Sequence, residues 1–512
     1  MNSDEFCKYG SQMIDIVAKY WKSLRTRTPV PDVQPGFMRQ LVPQDPPAAP
    51  ESWENIFQDI DKVVINGNTH WQHPNFFAYF PTACSYQAIM ADILSGGLAS
   101  IGFSWKSSPS MTELEISMMD WLAKALALPS EFLNSSTESG LGIIQNTASD
   151  ATYIALLAAR ARAVEYIKSN ENSTEQKQQV VLNEEGSNLD LGELCEYPYH
   201  DATIISKLIA YCSDQAHSSV SKGAMLAAVR LRKLKSVKND CNGNFSVTAK
   251  MLEAAIKVDR ANGLIPFIFI MTLGTTSTCG VDPIDELASI CRRENIWVHV
   301  DSAYADRMLH LSGAFLLLPE YRYLTRGFEY IDSFNMNTHK ALQMNFDCSP
   351  MWFRNGKKYL KYFEVDPVYL KHDQTSATDY RHLQIALGRR FRSLKIWFVL
   401  RNIGITGLQQ HLRKMIDLAQ HFEFLIQNDP LLELFVPRAW GLVCFRMKNS
   451  TNEMNEELNS KINLDRRIHI VASSVHGVYF LRFVACSTLT NHDDVRQAYQ
   501  IIHNYAEEIR KS

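Results

Sequence analysis

The chain has 512 residues, of which 46% are apolar and 21% are charged, as in an ordinary globular protein of two or three domains. Its net charge of −3 gives no reason to expect nucleic acid or an anionic membrane as a partner. The longest apolar run, residues 264–271, is far shorter than the roughly 20 residues that cross a bilayer, so we expect no membrane span.

The cysteines and the first residues of the chain indicate its cellular compartment. The ten cysteines include no CxxC pair and no tight cluster with histidine, so we expect no metal site and a reducing environment. The start of the chain, Met1-Asn-Ser-Asp-Glu-Phe, lacks the charged and then apolar layout of a signal peptide. We therefore expect a cytoplasmic protein.

The first segment is predicted to be helical and extended. Apolar residues recur at helical spacing between residues 6 and 20, which predicts a helix with Ser3 as its cap. A proline-rich passage at residues 42–50 cannot continue a helix, and a second helix is expected after it. Such segments bury too little surface to stand alone. Residues 1–85 are therefore predicted to be a helical arm that packs on another body, such as a second subunit.

Residues 86–392 alternate between helical stretches and short apolar runs. The predicted strands are residues 142–145, 266–273 and 296–300, and the predicted helices are residues 118–126, 151–167 and 284–291. This alternation predicts an α/β fold with a mostly parallel sheet, whose ligands lie at the carboxyl ends of the strands. A polar, acidic run at residues 168–200 interrupts the pattern and is interpreted as a surface insertion.

The last part of the chain, residues 393–512, is predicted to form a small α+β domain. A helix at residues 393–401 leads into it, and its strands are predicted at residues 442–447 and 478–484.

Three features of the large domain point to one chemistry. Lys340 ends the run Ser333-Phe-Asn-Met-Asn-Thr-His-Lys340, whose small and hydrogen-bonding residues suit a buried reactive amine. Asp301 ends an apolar run, where a buried carboxylate needs a cationic partner, and residues 147–149 open a helix that can take a phosphate. A surface lysine, a turn-capping acid and plain helix capping are the ordinary alternatives for each feature alone. Together they are the parts that hold pyridoxal phosphate.

Five further segments have distinctive sequences. They are His73-Pro-Asn-Phe-Phe-Ala-Tyr-Phe-Pro81-Thr82, Ser108-Pro-Ser-Met-Thr-Glu-Leu-Glu115, Ser213-Asp-Gln-Ala-His217-Ser-Ser219, Thr272-Leu-Gly-Thr-Thr276 and Leu387-Gly-Arg-Arg-Phe-Arg-Ser-Leu-Lys395. With the segments around Lys340 and Asp301, they resemble the group II pyridoxal-phosphate decarboxylases, specifically the aromatic L-amino acid decarboxylases. The resemblance implies a homodimer with the aspartate-aminotransferase-like fold of pyridoxal-phosphate enzymes (fold type I).

The resemblance also implies roles for single residues. Lys340 would form the Schiff base and Asp301 would pair with the pyridine nitrogen. His217 would stack on the ring, and Tyr369, on a closing loop, would protonate the substrate carbon. The other implied cofactor contacts are Thr147, Ala148, Ser149, Asn337, His339, Thr276, Ala303 and Gly388. The implied aromatic side-chain pocket consists of Trp71, Tyr79, Phe80, Pro81, Thr82, Phe346 and, from the partner subunit, Ile101 and Phe103.

The implied reaction is decarboxylation of an aromatic L-amino acid to an arylalkylamine through a Schiff base and a quinonoid. An aromatic aldehyde synthase, a decarboxylase of a non-aromatic amino acid and a catalytically weak binding or regulatory partner are the alternatives. Aldehyde-forming relatives typically change the tyrosine that matches Tyr369 or the histidine that matches His217, so retention of both favours simple decarboxylation.

The chain departs from the family pattern at several positions near these residues. Asn146 stands where glycine is usual, and a side chain there could crowd the phosphate turn. Thr338 replaces a proline, Ala341 replaces a tryptophan and Ser302 replaces an alanine. Extra residues are present near 305–312. None of these changes removes a catalytic group.

Overall fold

The computed structural model describes residues 1–171, 197–239, 243–303, 313–365, 367–374, 377–438 and 440–511. Of the insertion predicted at residues 168–200, the part from 172 to 196 lies outside the described residues, and so do all of residues 305–312. The chain divides into two compact units. One unit is Met1–Cys84 with Gln410–Ser512, and the other is Ser85–Gln409.

Helices and strands alternate along most of the chain. The α-helices are Ser3–Ser23, Trp53–Asp59, Tyr86–Leu98, Pro109–Ala125, Ala148–Glu171, Ala202–Ile205, Ser218–Leu226, Ala249–Ala261, Ile284–Arg293, Thr338–Ala341, Gly356–Tyr359, Ser393–Asn402, Gly404–Gln427, Asn452–Asp465 and His492–Lys511. The strands are Leu141–Gln145, Leu208–Ser213, Arg230–Leu234, Val237–Lys238, Phe245–Ser246, Ile265–Thr272, Trp297–Ser302, Ser333–Met336, Ser349–Phe353, Leu432–Leu434, Leu442–Met447, Val471–Val475 and Val478–Val484. No helix in the described part of the chain has the length and apolar character needed to cross a membrane.

The unit Ser85–Gln409 is built on a seven-stranded sheet. From one edge to the other, its strands are Leu141–Gln145, Ser349–Phe353, Ser333–Met336, Trp297–Ser302, Ile265–Thr272, Leu208–Ser213 and Arg230–Leu234. All neighbours pair in parallel except Ser349–Phe353, which is antiparallel to the strands on both sides of it. Six of the seven strands therefore run in one direction, and the predicted α/β fold with a mostly parallel sheet is confirmed.

Continuous apolar runs explain why the central strands form where they do. Seven of the eight residues of Ile265–Thr272 and all six of Trp297–Ser302 are buried, as in a sheet covered by helices on both faces. The alanine-rich helix Ala148–Glu171 packs on the sheet through wholly buried residues such as Ala151 and Ala158. Four strands of this sheet were not predicted from the sequence, and one of them, Arg230–Leu234, lies at the edge and carries three basic residues.

The first helix begins one residue earlier than its sequence signal indicated. The Asn2 side chain accepts the Glu5 N–H at 2.9 Å, and the Glu5 carboxylate accepts the Asn2 N–H at 2.9 Å. The prediction that Ser3 is the cap is therefore wrong, since Ser3 is the first helical residue. No residue of the helix Ser3–Ser23 is buried.

The end of the predicted arm joins a four-stranded antiparallel sheet near the carboxyl terminus. The Phe77 N–H donates to the His469 carbonyl at 2.8 Å, and the Val484 N–H donates to the Phe77 carbonyl at 3.0 Å. The compact units therefore have their boundaries after residues 84 and 409. The sequence predicted an arm at 1–85, a cofactor domain at 86–392 and a small domain at 393–512. That division concerns folding units and dimerisation, and it stays a prediction.

Three stacked phenylalanines test the packing of this unit. Phe422 stacks on Phe483 with ring centroids 3.8 Å apart, and Phe483 stacks on Phe77 at 4.2 Å. Phe422 is wholly buried, whereas Phe424 on the same helix is 61% exposed. We expect Phe422→Ala to lower the free energy of unfolding by about 3–5 kcal/mol in chemical denaturation, because it leaves a cavity in the core. The control Phe424→Ala should change it by less than about 0.5 kcal/mol. Equal losses in the two variants would contradict this packing.

Candidate active site

Three adjacent parallel strands place polar side chains in one row. Thr272 pairs with Asp301, and Asp301 pairs with Asn335. Parallel strands end at the same edge of a sheet, so the segments that follow these strands meet there. Those segments carry Thr276 and Lys340.

The Asp301 carboxylate is buried at this edge. The residue is 4% exposed, and its Oδ1 accepts the backbone N–H of Ala303 at 3.1 Å. One neutral donor does not compensate a charge removed from water, and a buried carboxylate of this kind calls for a cationic partner. A protonated pyridine nitrogen has the charge and the N–H that this position requires.

His217 caps the helix Ser218–Leu226 with its own ring. Nδ1 accepts the Ser219 N–H at 3.2 Å and lies 2.8 Å from the Ser219 hydroxyl. Because Nδ1 is an acceptor, the neutral ring carries its proton on Nε2. Burial lowers the pKa of His217, the Asp301 carboxylate opposes that shift and the Lys340 ammonium adds to it. The charges of Asp301 and Lys340 therefore both act on His217.

The segment around Lys340 is fixed by Cys348, the residue before the strand Ser349–Phe353. The Thr338 hydroxyl donates to the Cys348 carbonyl at 3.0 Å, and His339 Nδ1 lies 2.8 Å from the same oxygen and 3.1 Å from the Cys348 nitrogen. Burial, with the Lys340 charge, lowers the pKa of His339 to about 4. The Phe346 ring packs edge-on against His339 with centroids 4.9 Å apart. These contacts hold the backbone that presents Lys340.

Hydrogen-bond donors suited to a phosphate lie at the same edge. Thr147 Oγ1 accepts the Asp150 N–H at 3.2 Å at the start of the helix Ala148–Glu171. The preceding strand ends at Gln145, which pairs with Ser349. The Ser349 hydroxyl donates to Asn337 Oδ1, so the Asn337 amide N–H groups remain as donors. The Thr147 hydroxyl already donates to the Asp150 carboxylate at 3.1 Å, so the helix start and the Asn337 amide are the donors that match the chemistry of a phosphate group.

Three of the departures from the family pattern make side-chain hydrogen bonds, namely Thr338, Ser302 and Asn146, whose Oδ1 accepts from Arg392. The Thr338 hydroxyl makes the contact to Cys348 that a proline could not make. The Ser302 hydroxyl accepts the N–H of Gly313, which is the first described residue after the gap at 304–312. Nothing in the structure explains Ala341.

Two of the predicted site residues, Tyr369 and Ile101, are exposed on the unit Ser85–Gln409. Tyr369 is 78% exposed on a short 3₁₀ turn, Val368–Leu370. Ile101 is also exposed, and its Cγ2 lies 3.6 Å from the point where a Cβ on Gly388 would stand. Its assignment to a partner's site, like that of Phe103, remains a prediction.

Five predicted pocket residues belong to the unit Met1–Cys84 with Gln410–Ser512, namely Trp71, Tyr79, Phe80, Pro81 and Thr82. The Trp71 and Tyr79 rings stack with centroids 5.5 Å apart, and the Arg482 guanidinium lies 4.5 Å from the centroid of the Phe80 ring. Within the same unit, the Gln72 amide donates to the carbonyl of Thr82, which follows Pro81. The roles of these residues in substrate binding remain predictions.

Sequence reasoning missed the buried charges that surround the site. Arg392 Nη2 donates to Asp347 at 2.8 Å and to the Asn146 side chain at 2.6 Å. The signal was present in Leu387-Gly-Arg-Arg-Phe-Arg-Ser-Leu-Lys395, where basic residues recur at intervals of three before and within an apolar helix. Ser219, which orients His217, was also missed.

Comparisons with known proteins agree over almost the full length. The family described as "Pyridoxal-dependent decarboxylase conserved domain" matches residues 35–184 and 193–448. An aromatic-L-amino-acid decarboxylase from Cavia porcellus is 44% identical over 512 residues and covers 99% of both chains. The structure of Oryza sativa TDC with PLP and tryptamine has a TM-score of 0.88 at 31% identity, with 99% of both chains covered. That of Rhodiola rosea 4-hydroxyphenylacetaldehyde synthase has a TM-score of 0.86 at 31% identity, again with 99% of both chains covered.

A buried carboxylate beside a lysine and a histidine, a phosphate-type helix start and a match over more than three quarters of the chain lead to one conclusion. The chain belongs to the pyridoxal-dependent decarboxylase family, and its cofactor is pyridoxal phosphate.

Proposed function

We propose that this protein decarboxylates aromatic L-amino acids and releases arylalkylamines. The observation that carries the proposal is the buried Asp301 carboxylate, which acts on His217 together with Lys340 at the carboxyl edge of the parallel sheet. The 44% identity to an aromatic-L-amino-acid decarboxylase supports the substrate class.

The residues at this edge fit the cofactor. Lys340 would hold its aldehyde and Asp301 its ring nitrogen, while the turn at 147–149 and Asn337 would hold its phosphate. Bound pyridoxal phosphate supplies a ring that accepts the electron pair left behind when a carboxylate leaves as CO2.

The protein's own groups orient the reaction and move its proton. His217 presents Nε2–H because Ser219 occupies Nδ1, so its free donor can be directed at an anionic group such as the substrate carboxylate. Burial lowers the pKa of His339 to about 4, so its ring stays neutral and adds no second positive charge beside Lys340. The buried Asp301 is positioned to keep the ring nitrogen protonated.

Tyr369 would supply the proton to the substrate carbon that loses CO2. Its exposed position on Val368–Leu370 means that the loop must close, in this subunit or toward a partner's site, before the hydroxyl can act. Retention of Tyr369 and His217 favours protonation, and hence an amine, over the aldehyde chemistry named for the Rhodiola rosea structure.

We predict that the purified protein with added pyridoxal phosphate forms a Schiff-base absorbance band and converts aromatic amino acids to amines. Tyrosine, dihydroxyphenylalanine, tryptophan and 5-hydroxytryptophan are tested beside histidine and glutamate, with amine, aldehyde, ammonia and peroxide quantified together. Lys340→Ala should remove the band and lower turnover by at least about a thousandfold, because it removes the amine that we assign to the aldehyde. The exposed Lys257→Ala is the control.

Other results of that experiment would indicate a different function or a different substrate. Aldehyde with ammonia and peroxide would point to an aldehyde synthase, and turnover of only the non-aromatic substrates to a different specificity. Cofactor bound without turnover would indicate a binding or regulatory partner. An unchanged band in Lys340→Ala would refute the assignment of the lysine.

We also propose that the protein is a homodimer. On the helix Tyr86–Leu98, Ala88 and Ala91 are buried, whereas Met90, Ile93 and Leu94 form an exposed apolar stripe. The helix Ser3–Ser23 has no buried residue, although its apolar residues recur at helical spacing. Apolar faces of this extent on a monomer typically mark an interface.

Sedimentation of the wild-type protein should give about twice the chain mass of 58.3 kDa. Leu94→Asp should shift the protein toward the monomer, because a charge buried without a partner in an apolar interface is costly. The control Leu464→Asp changes a leucine that is 75% exposed in the other unit and should leave the dimer intact. A monomeric wild type, or equal dissociation of both variants, would count against the proposal.

The compartment that we propose is the cytoplasm. Five of the eight cysteines in the described residues are wholly or almost wholly buried, and the sequence contains no CxxC pair, as suits a reducing environment. Fractionation of cells that express the full chain tests this assignment, and recovery with the secretory membranes would contradict it.

A further inference from the structure

Three buried basic residues lie near the candidate site but are not among the residues predicted to hold the cofactor. Arg389, Arg392 and Lys395 stand at intervals of three just before and within the helix Ser393–Asn402, and each is less than a tenth exposed. Arg389 pairs with Glu115, whose carboxylate accepts the N–H of Ile144 at 2.7 Å. Buried cations of this kind must be paired, so each one fixes the segment that supplies its acceptor.

Arg392 connects two segments that are far apart in sequence. Its Nη2 donates to Asn146 Oδ1 at 2.6 Å and to Asp347 Oδ2 at 2.8 Å. Asn146 directly precedes the turn at 147–149. The backbone nitrogen of Cys348, the residue after Asp347, lies 3.1 Å from the ring of His339, the neighbour of Lys340.

The Asn146 side chain is the one part of this connection that departs from the family pattern. A glycine at position 146 has no side-chain oxygen, so Arg392 would then keep its bond to Asp347 alone. Asn146 does not have a positive φ, so the position does not require glycine. Its side chain is directed to Arg392.

We propose that Asn146 is a positioning residue, which ties the phosphate-binding turn to the loop that follows Lys340 through Arg392. The inference rests on the proposed function, because it assigns the turn at 147–149 to the cofactor phosphate. The bond is part-buried, because Arg392 is buried although Asn146 is exposed. It is also charge-assisted, which makes it stronger than a hydrogen bond between two neutral groups. It holds the two sides of the cofactor pocket at a fixed spacing.

The test measures cofactor binding separately from turnover. Asn146→Ala and Asn146→Gly both remove the acceptor, and Asn402→Ala is the control, since it removes a surface amide contact to Gln87 in the same unit. We expect the dissociation constant of pyridoxal phosphate, measured on the cofactor-free protein by equilibrium dialysis, to rise about tenfold in both Asn146 variants and to stay unchanged in Asn402→Ala. The unfolding midpoint of the cofactor-free protein should be the same in all three variants as in the wild type.

The outcomes separate the inference from the proposed function. An unchanged dissociation constant in both Asn146 variants, with a wild type that binds pyridoxal phosphate, overturns the positioning role and leaves the function standing. A lower unfolding midpoint with unchanged affinity shows a purely structural contact and overturns the role as well. A wild type that does not bind pyridoxal phosphate overturns the proposed function itself.

Discussion

The burial of one carboxylate is the constraint on which the candidate site depends. Asp301 is the next-to-last residue of the central strand Trp297–Ser302, and its one backbone hydrogen bond, from Ala303, is too weak to compensate a charge in that position. A cation that arrives with its own N–H resolves the problem, and the protonated ring of pyridoxal phosphate is such a cation. The sheet itself therefore creates the need for a cationic partner, because the apolar run that buries the strand also buries Asp301.

The groups near Asp301 and the groups farther from it differ in charge. Ser219 fixes the His217 tautomer, and burial keeps His217 and His339 largely neutral beside the Lys340 amine. Farther out, charged groups are paired with one another. Burial alone would raise the pKa of Asp347, but Arg392 and Lys395 hold it below its ordinary value. The site therefore has neutral histidines beside Lys340 and fixed ion pairs farther from it.

The sequence predicted those parts that depend on periodicity and on distinctive segments. The strands Leu442–Met447 and Val478–Val484 have the predicted bounds, and each begins directly after a glycine, Gly441 or Gly477. Arg230–Leu234 was missed since an edge strand can be polar, and Ser3 was mistaken for a cap because Asn2 competes for the same role. The bond between Asn146 and Arg392 joins residues 246 positions apart, and no local pattern indicates such a pair.

The account assigns one lysine to the cofactor, and reduction with borohydride tests that assignment most directly. The protein is loaded with pyridoxal phosphate, reduced, digested and analysed by peptide mass spectrometry, so that the modified residue is identified without reference to turnover. The account predicts a phosphopyridoxyl group on Lys340, in the peptide that contains Asn337 and His339. Labelling of another lysine such as Lys395, or of none, would contradict it.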